Sequence, residues 1–93
     1  MNAIEIIREH EQEIRERFSV RRIGVFGSFA RSEAGAESDV DVLVEFERPT
    51  FDNFMELCFY LEDLFERKVE LVTPDSLSQY ILPYVNREVV WAE

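Results

Sequence analysis

One short alternating segment limits what this 93-residue chain can form more than any other part of it. Its apolar residues recur at every second position: Val40, Val42, Val44 and Phe46. Because successive side chains of a β-strand point to opposite faces, these residues share one face, and Asp39 and Asp41 share the other. A shift of one residue would bury both carboxylates, and so the pattern predicts a strand of fixed register with an acidic face.

The two acidic residues of this strand are candidate metal ligands. Neighbouring carboxylates raise each other's pKa unless a positive charge lies between them. A divalent cation meets that need, and Mg²⁺ is commonly held by one or two carboxylates together with the phosphates of a substrate. The simpler alternative is an amphipathic strand with a solvated acidic edge, and Asp39 and Asp41 alone do not decide between the two.

A second feature lies just upstream, where the strand predicted over residues 19–26 runs into Gly27 and Ser28. Glycine at the end of a strand allows a positive φ and a close approach of the backbone. Ser28 begins a short helix, followed by a turn that contains Gly35, within residues 28–35, and the first N–H groups of that helix can face phosphate oxygens. Arg31 lies one turn further along, where it could reach a phosphate or pair with Asp39, and the sequence leaves both readings open.

These residues carry a family resemblance. Gly27-Ser28, then residues 29–38, then Asp39-Val40-Asp41 resembles the signature of the DNA polymerase β-type nucleotidyltransferase superfamily. More narrowly, Gly27-Ser-Phe-Ala-Arg31 with Ser38-Asp-Val-Asp-Val-Leu-Val44, in a chain this short, is similar to the minimal nucleotidyltransferases. These MNT domains act as antitoxins beside HEPN-domain toxins. The similarity covers roughly residues 20–93.

A third acidic residue lies in the strand predicted over residues 68–73, which has Val69 and Leu71 on one side and Glu70 on the other. If this strand neighbours the Asp39–Asp41 segment, Glu70 joins the acidic face. The resemblance implies an acid at this position, commonly aspartate, that acts as general base or further metal ligand. Glutamate is one methylene longer, which puts the fine geometry in question. The alternative is a solvated strand glutamate.

The resemblance implies an enzyme that binds ATP together with two Mg²⁺ ions. It would transfer AMP to a tyrosine hydroxyl of a HEPN ribonuclease toxin in a hetero-oligomeric complex, and so neutralise the toxin. The implied catalytic residues and metal ligands are Asp39, Asp41 and Glu70, and the implied nucleotide-binding residues are Gly27, Ser28 and Arg31. A binding module that silences its partner by covering it is the rival reading. Adenylylation of a small molecule ranks last, because the sequence offers no acceptor pocket.

Charge and composition narrow the range of partners. Twenty acidic against ten basic residues give a net charge of −10. Such a surface repels nucleic acid and anionic membranes, so we expect a basic protein as the direct partner instead. The single Cys58 excludes an internal disulfide, and no segment resembles a signal peptide or a membrane span. We therefore expect a cytoplasmic protein.

The whole chain, residues 1–93, is predicted to form a single α/β (α+β) domain with the nucleotidyltransferase fold. A small mixed sheet of three main strands is flanked by helices in the order α-β-α-β-α-β-α. The connection of about twelve residues between the first two strands is short for a parallel crossover, so we expect that pair to be antiparallel. The first helix is predicted over residues 2–18, and the last runs from Pro83 through Val90.

The long helix predicted over residues 50–67 is the principal core element, with Thr50 as its N-cap. Its apolar face comprises Phe51, Phe54, Met55, Leu57, Cys58, Leu61, Leu64 and Phe65. Phe59 and Tyr60 fall outside that face, where they either cover a neighbouring loop or contact another protein. Trp91, close to the end of the chain, packs either on the domain's own sheet or on a partner.

Overall fold

The architecture is a four-stranded mixed sheet, seen in a computed structural model that describes residues 1–92. The strands are β1 (Val20–Phe26), β2 (Val40–Phe46), β3 (Val69–Val72) and β4 (Val90–Trp91), in the spatial order β3-β2-β1-β4. β1 pairs antiparallel with β2 and with β4, whereas β2 and β3 are parallel. The predicted mixed sheet and its antiparallel first pair are confirmed, and β4 is an addition to the three predicted strands.

The helices are α1 (Ala3–Glu9), α2 (Glu11–Phe18), α3 (Gly27–Ala30), α4 (Phe51–Phe65) and α5 (Leu82–Glu88), with a 3-10 turn over Pro74–Ser76. None of the helices in residues 1–92 combines the length with the apolar content that a bilayer crossing requires.

The first predicted helix is two helices, because the backbone leaves helical geometry at His10 (φ −114°, ψ 9°). The interruption falls next to Glu11, a charged residue that lies at helical spacing between the buried Ile7 and Ile14. The Glu11 carboxylate pairs with the Arg15 guanidinium at 2.8 Å instead of entering the core. The break thus keeps a charge out of the interior while both isoleucines remain buried.

The core lies between one face of the sheet and helices α1, α2 and α4. The predicted apolar face of β2 is confirmed for Val40, Val42 and Val44, which are fully buried, whereas Phe46 is only partly buried. Leu43, on the face of the acids, is fully buried as well. The predicted cap of α4 is also present: the Thr50 hydroxyl accepts a hydrogen bond from the Asn53 N–H at 3.1 Å. Leu57 and Leu61 bring the middle of α4 onto the core.

The ends and edges of α4 differ in part from the prediction. Phe51, assigned to the core face, is 76% exposed because it opens the helix beyond the edge of the packed core. The helix ends at Phe65, two residues early, since Glu66 adopts a left-handed conformation (φ 54°). Phe59 is exposed, whereas the Tyr60 ring packs on Phe18 with 5.2 Å between centroids. Tyr60 therefore covers a neighbouring helix.

The last predicted helix ends at Glu88, and Val90–Trp91 continue as β4 along β1. Gly24 makes this edge possible, because a Cβ at that position would lie 2.7 Å from the Val90 carbonyl oxygen. The Arg22 guanidinium lies 3.4 Å from the centre of the Trp91 ring. Of the two readings of Trp91, the structure shows packing on the domain's own sheet.

Candidate active site

Two acidic side chains from adjacent strands lie side by side in the sheet. In the parallel pairing of β2 with β3, Asp41 is directly opposite Glu70. Neighbouring strands lie about 4.8 Å apart, and side chains at paired positions project from the same face. Asp41 is half-buried and Glu70 is exposed. The structure therefore places Glu70 beside the predicted acidic face.

Asp39 completes a row of three acids on this face. It directly precedes β2, is exposed, and lies two residues before Asp41. Within residues 1–92, no group of three or more His, Cys, Asp or Glu side chains is arranged so that it could hold a metal ion by itself. The three carboxylates are not preassembled as a metal cage, so a cation here would need further oxygen ligands from phosphate or water.

The electrostatic environment of Asp41 is strongly negative. Partial burial and then repulsion from Glu70 raise the pKa of the Asp41 carboxyl to about 6, with smaller contributions from Asp39 and Glu88. The ordinary value is 3.8. Negative charge at this point of the sheet is thus poorly compensated by the protein itself, and a bound cation would relieve it.

The glycine–serine bend lies directly against this carboxylate. Gly27 has φ +72°, and a Cβ there would lie 2.0 Å from the Asp41 Oδ2. The expected positive φ and close approach are both present, and the close approach is to Asp41. Ser28 lies in α3, a short helix of four residues as predicted, and the chain then turns at Ser32, which is left-handed (φ 59°). The antiparallel pairing of Phe26 with Asp41 brings bend and acid together.

The Arg31 guanidinium forms ion pairs with two glutamates and not with Asp39. Its Nη1 donates to Glu88 Oε1 at 2.5 Å, and its Nε lies 3.4 Å from the Glu33 carboxylate. The proposed pair of Arg31 with Asp39 is therefore not formed in this structure. Glu88 is a site residue that the sequence analysis missed, because 57 residues separate it from Arg31 and no local pattern connects the two.

A groove of about 460 Å³ opens beside Asp39. Its lining comprises Ala36, Glu37, Ser38, Asp39, Glu66, Arg67 and Lys68. The Val40 N–H donates to the Lys68 carbonyl at 3.0 Å, which sets Lys68 level with Asp39 on the next strand. Lys68 is exposed and is a second residue that the sequence analysis did not assign to the site.

Arg67 holds the connection between the bend and β2 in place. Its Nη1 donates to the carbonyl oxygens of Gly35, Ala36 and Ser38 at 3.0 to 3.2 Å. The guanidinium also lies 5.2 Å from the centre of the Phe29 ring. One side chain from beyond the end of α4 therefore fixes the loop that separates Gly27 from Asp39.

Comparison with known proteins agrees with this geometry. The sequence pattern of the family described as nucleotidyltransferase domain matches residues 7–91. The protein adenylyltransferase MntA of Thermococcus cleftensis is 52% identical over 87 residues, which cover 92% of this chain and 88% of the relative. A Methanocaldococcus jannaschii protein, named as a candidate protein adenylyltransferase, is 39% identical over 88 residues, or 91% of this chain and 85% of that protein.

Solved structures share the fold. A chain described as a candidate minimal nucleotidyltransferase superposes with a TM-score of 0.82 at 33% identity, covering 97% of this chain and 95% of the other. A toxin–antitoxin structure with AMP-PNP gives a TM-score of 0.75 at 19% identity, covering 92% of this chain and 72% of the other. At that lower identity the likeness concerns the fold alone.

The four-stranded sheet, the glycine bend against an acidic strand and the family match define a nucleotidyltransferase, and the chain belongs to the nucleotidyltransferase domain family. Within it, the similarity to MntA and to the minimal nucleotidyltransferase structure places the chain with the small enzymes of the MntA type.

Proposed function

We propose that this chain transfers AMP from MgATP to a tyrosine hydroxyl of a HEPN ribonuclease toxin and thereby acts as the antitoxin. The observation that carries the proposal is the pairing of Asp41 with Glu70 directly beside the Gly27 bend. The relatives support it: one is named a protein adenylyltransferase, and a Shewanella oneidensis structure contains a tri-AMPylated HEPN toxin with an MNT antitoxin (TM-score 0.68, 17% identity, 97% of this chain and 71% of the other).

The nucleotide would lie with its phosphates over Gly27 and Ser28. The Asp41 carboxylate fills the space that a side chain at residue 27 would take, so the phosphates would lie on the backbone that follows the bend, next to that carboxylate. Arg31, one turn further on, contributes positive charge beside this phosphate-binding position. Its two glutamate partners leave that charge only partly available.

The donor set suits Mg²⁺, because the three side chains in the row offer only hard carboxylate oxygens. Asp39 and Asp41, with Glu70, would hold the two ions, and an open row leaves the remaining coordination positions to phosphate and water oxygens. The raised pKa of Asp41 is the signature of a site whose negative charge calls for a cation. When bound, Mg²⁺ neutralises developing charge on the phosphates and on the leaving pyrophosphate.

The chain's own residues would then position the reactants. Exposed Glu70 accepts the proton of the acceptor hydroxyl, whose oxygen bonds to the α-phosphorus in line. The bond from that phosphorus to the bridging oxygen breaks as the new bond forms, and pyrophosphate leaves. Catalysis of this kind depends mainly on position and charge, which is why the spacing fixed by β2 and β3 matters.

The acceptor would approach from the side of the Asp39 groove, next to Lys68. A net charge of −10 favours a basic protein over nucleic acid or an anionic membrane as the direct partner. A binding module without transfer is the second candidate. It is favoured by the open arrangement of the acids and by glutamate at position 70, where the resemblance implies aspartate.

The test is mass spectrometry of the toxin encoded in the neighbouring reading frame after incubation with this chain, ATP and Mg²⁺. Transfer predicts one or more additions of an AMP mass, and Asp41→Asn should lower the rate by about 10²-fold or more. Glu45→Gln is the matched control, since Glu45 lies on the same face of β2 but pairs with Arg22. A silenced toxin without added mass would favour the binding module.

A further inference from the structure

We infer that Glu88 is a positioning residue of the proposed active site: it holds the Arg31 guanidinium and so prevents Arg31 from pairing with the carboxylates that bind the metal. This inference rests on the proposed function. It concerns a residue on α5, an element outside the strands and the bend that carry the acids and the phosphate seat.

The contact between Arg31 and Glu88 is the stronger of the two that Arg31 makes. The Nη1–Oε1 distance is 2.5 Å, within the range of a charge-assisted hydrogen bond, and the Glu88 side chain is 29% exposed. The contact to Glu33 is longer, at 3.4 Å, and the Glu33 side chain is 62% exposed. Exposed ion pairs contribute little, so Glu88 is the partner that fixes the guanidinium.

The position of Glu88 is itself fixed from both sides. Val85, one turn earlier on α5, is buried, and β4 begins two residues after Glu88. β4 is anchored to β1 by the pairing of Val90 with Val25 and by a hydrogen bond from the Ala92 N–H to the Ile23 carbonyl at 2.9 Å. Glu88 therefore holds Arg31 from a rigid support, not from a mobile chain end.

Arg31 lies in the same neighbourhood as the acids. Its backbone N–H donates to the Gly27 carbonyl at 3.1 Å, and Gly27 lies directly against the Asp41 carboxylate. An arginine released by Glu88 would find carboxylates within the same neighbourhood, and a guanidinium paired with a carboxylate competes directly with a metal ion for its oxygens. Because Glu88 holds Arg31, the acids stay available to a cation. The positive charge of Arg31 meanwhile stays close to Gly27 and Ser28, where the phosphates are proposed to bind.

The experiment is a double-mutant cycle on metal affinity, with Mn²⁺ as the probe and the loss of the free-ion electron paramagnetic resonance signal as the readout. Glu88→Gln should weaken Mn²⁺ binding by about fivefold, the upper end for a partly exposed ion pair. In the Arg31→Gln background, the same Glu88→Gln change should have almost no effect, because no guanidinium remains to be released.

If Glu88 acts only through its own negative charge, Glu88→Gln should weaken Mn²⁺ binding by the same fivefold factor with or without Arg31. Additivity in the cycle would overturn the inference. Glu33→Gln is the matched control, and an effect as large as that of Glu88→Gln would also overturn it. Thermal unfolding of each variant verifies that it is folded.

The two proposals fail separately. If the wild-type chain binds Mn²⁺ with the predicted coupling but transfers no AMP, the transfer proposal fails and the role of Glu88 stands. If it transfers AMP and the cycle is additive, only the role of Glu88 fails. A wild-type chain that binds no Mn²⁺, with or without a non-hydrolysable ATP analogue, overturns the inference as well.

Discussion

The Asp41 carboxylate lies against the Cα of Gly27, so closely that a Cβ on residue 27 would lie 2.0 Å from Asp41 Oδ2. The end of β1 and the acidic strand thus meet at one point, with no room for a side chain between them. This contact makes the bend and the carboxylate a single unit, and changes at either residue should be felt at the other.

Gly27→Ala should therefore lower both stability and activity. The new methyl group must displace Asp41, and alanine is strained at φ +72°, which together cost about 1–2 kcal/mol in the free energy of unfolding. Urea denaturation measures this cost. Gly35→Ala is the control, because a Cβ there would meet only Ser38 Oγ at 3.9 Å. Equal losses in the two variants would contradict the proposed contact.

Asp41→Asn should lower the transfer rate by about 10²-fold or more yet stabilise the metal-free fold at neutral pH. The folded-state pKa is about 6 against an ordinary 3.8, so between these values the folded state binds a proton that the unfolded state does not. Stability contributed by this group is present at low pH, falls as pH rises towards 6, and is constant above. After allowance for solvent screening, Asn should gain about 1 kcal/mol at pH 7.5.

That gain should shrink as the pH falls below 6, because wild-type Asp41 is then already protonated in the folded state. Thermal unfolding in EDTA at several pH values measures the difference. Glu45→Gln, on the same face of β2, should show no comparable gain. A stabilisation by Asn that persists at pH 4 would mean that burial and repulsion of the charged Asp41 carboxylate are not its source.

Mg²⁺ should raise the thermal stability of the wild-type chain and EDTA should reverse the effect. A ligand that binds only the folded state stabilises it by about 1 kcal/mol when its concentration is about five times the Kd. The double variant Asp39→Asn/Asp41→Asn should lose this response, since it removes the ligands without removing the fold. An undiminished response in that variant would place the ion elsewhere.

Glu70 should act as the base and not as a structural residue. Glu70→Gln is expected to keep the fold, because the side chain is exposed, and to lower the transfer rate by about 10²-fold or more. Glu70→Asp restores the acid that the family resemblance implies, and its rate should stay within about tenfold of the wild type. Single-turnover assays with the partner toxin give both rates. Unaltered transfer by Glu70→Gln would remove the residue from the mechanism.

Sequence patterns predicted those parts of the fold that are determined by interactions between residues close together in the chain. Alternation in β2 determined which face is buried, because a shifted register would have buried the acids beside Val42. The same alternation, applied to β3, predicted that Glu70 joins the acidic face once the strands pair. The cap at Thr50 was readable because capping needs only residues three apart.

The remaining features depend on contacts between distant parts of the chain. β4 has two residues, too few for an alternating pattern, and exists because Gly24 leaves space for it. The pairing of Arg31 with Glu88 joins residues 57 apart, and it replaced the expected pair with Asp39. The break at His10 could be suspected from the misplaced Glu11, but its location required the packed structure.

Arg67 reaches back from beyond α4 to three carbonyl groups of the connection before β2. With β1 and β2 paired but Arg67 absent, Gly27 would still lie against Asp41, whereas the connection that leads into Asp39 would have lost these three hydrogen bonds. The placement of the first acid therefore depends on a residue that follows it by 28 positions (67 − 39), so a change at Arg67 would be felt at Asp39 while the contact of Gly27 with Asp41 stays intact.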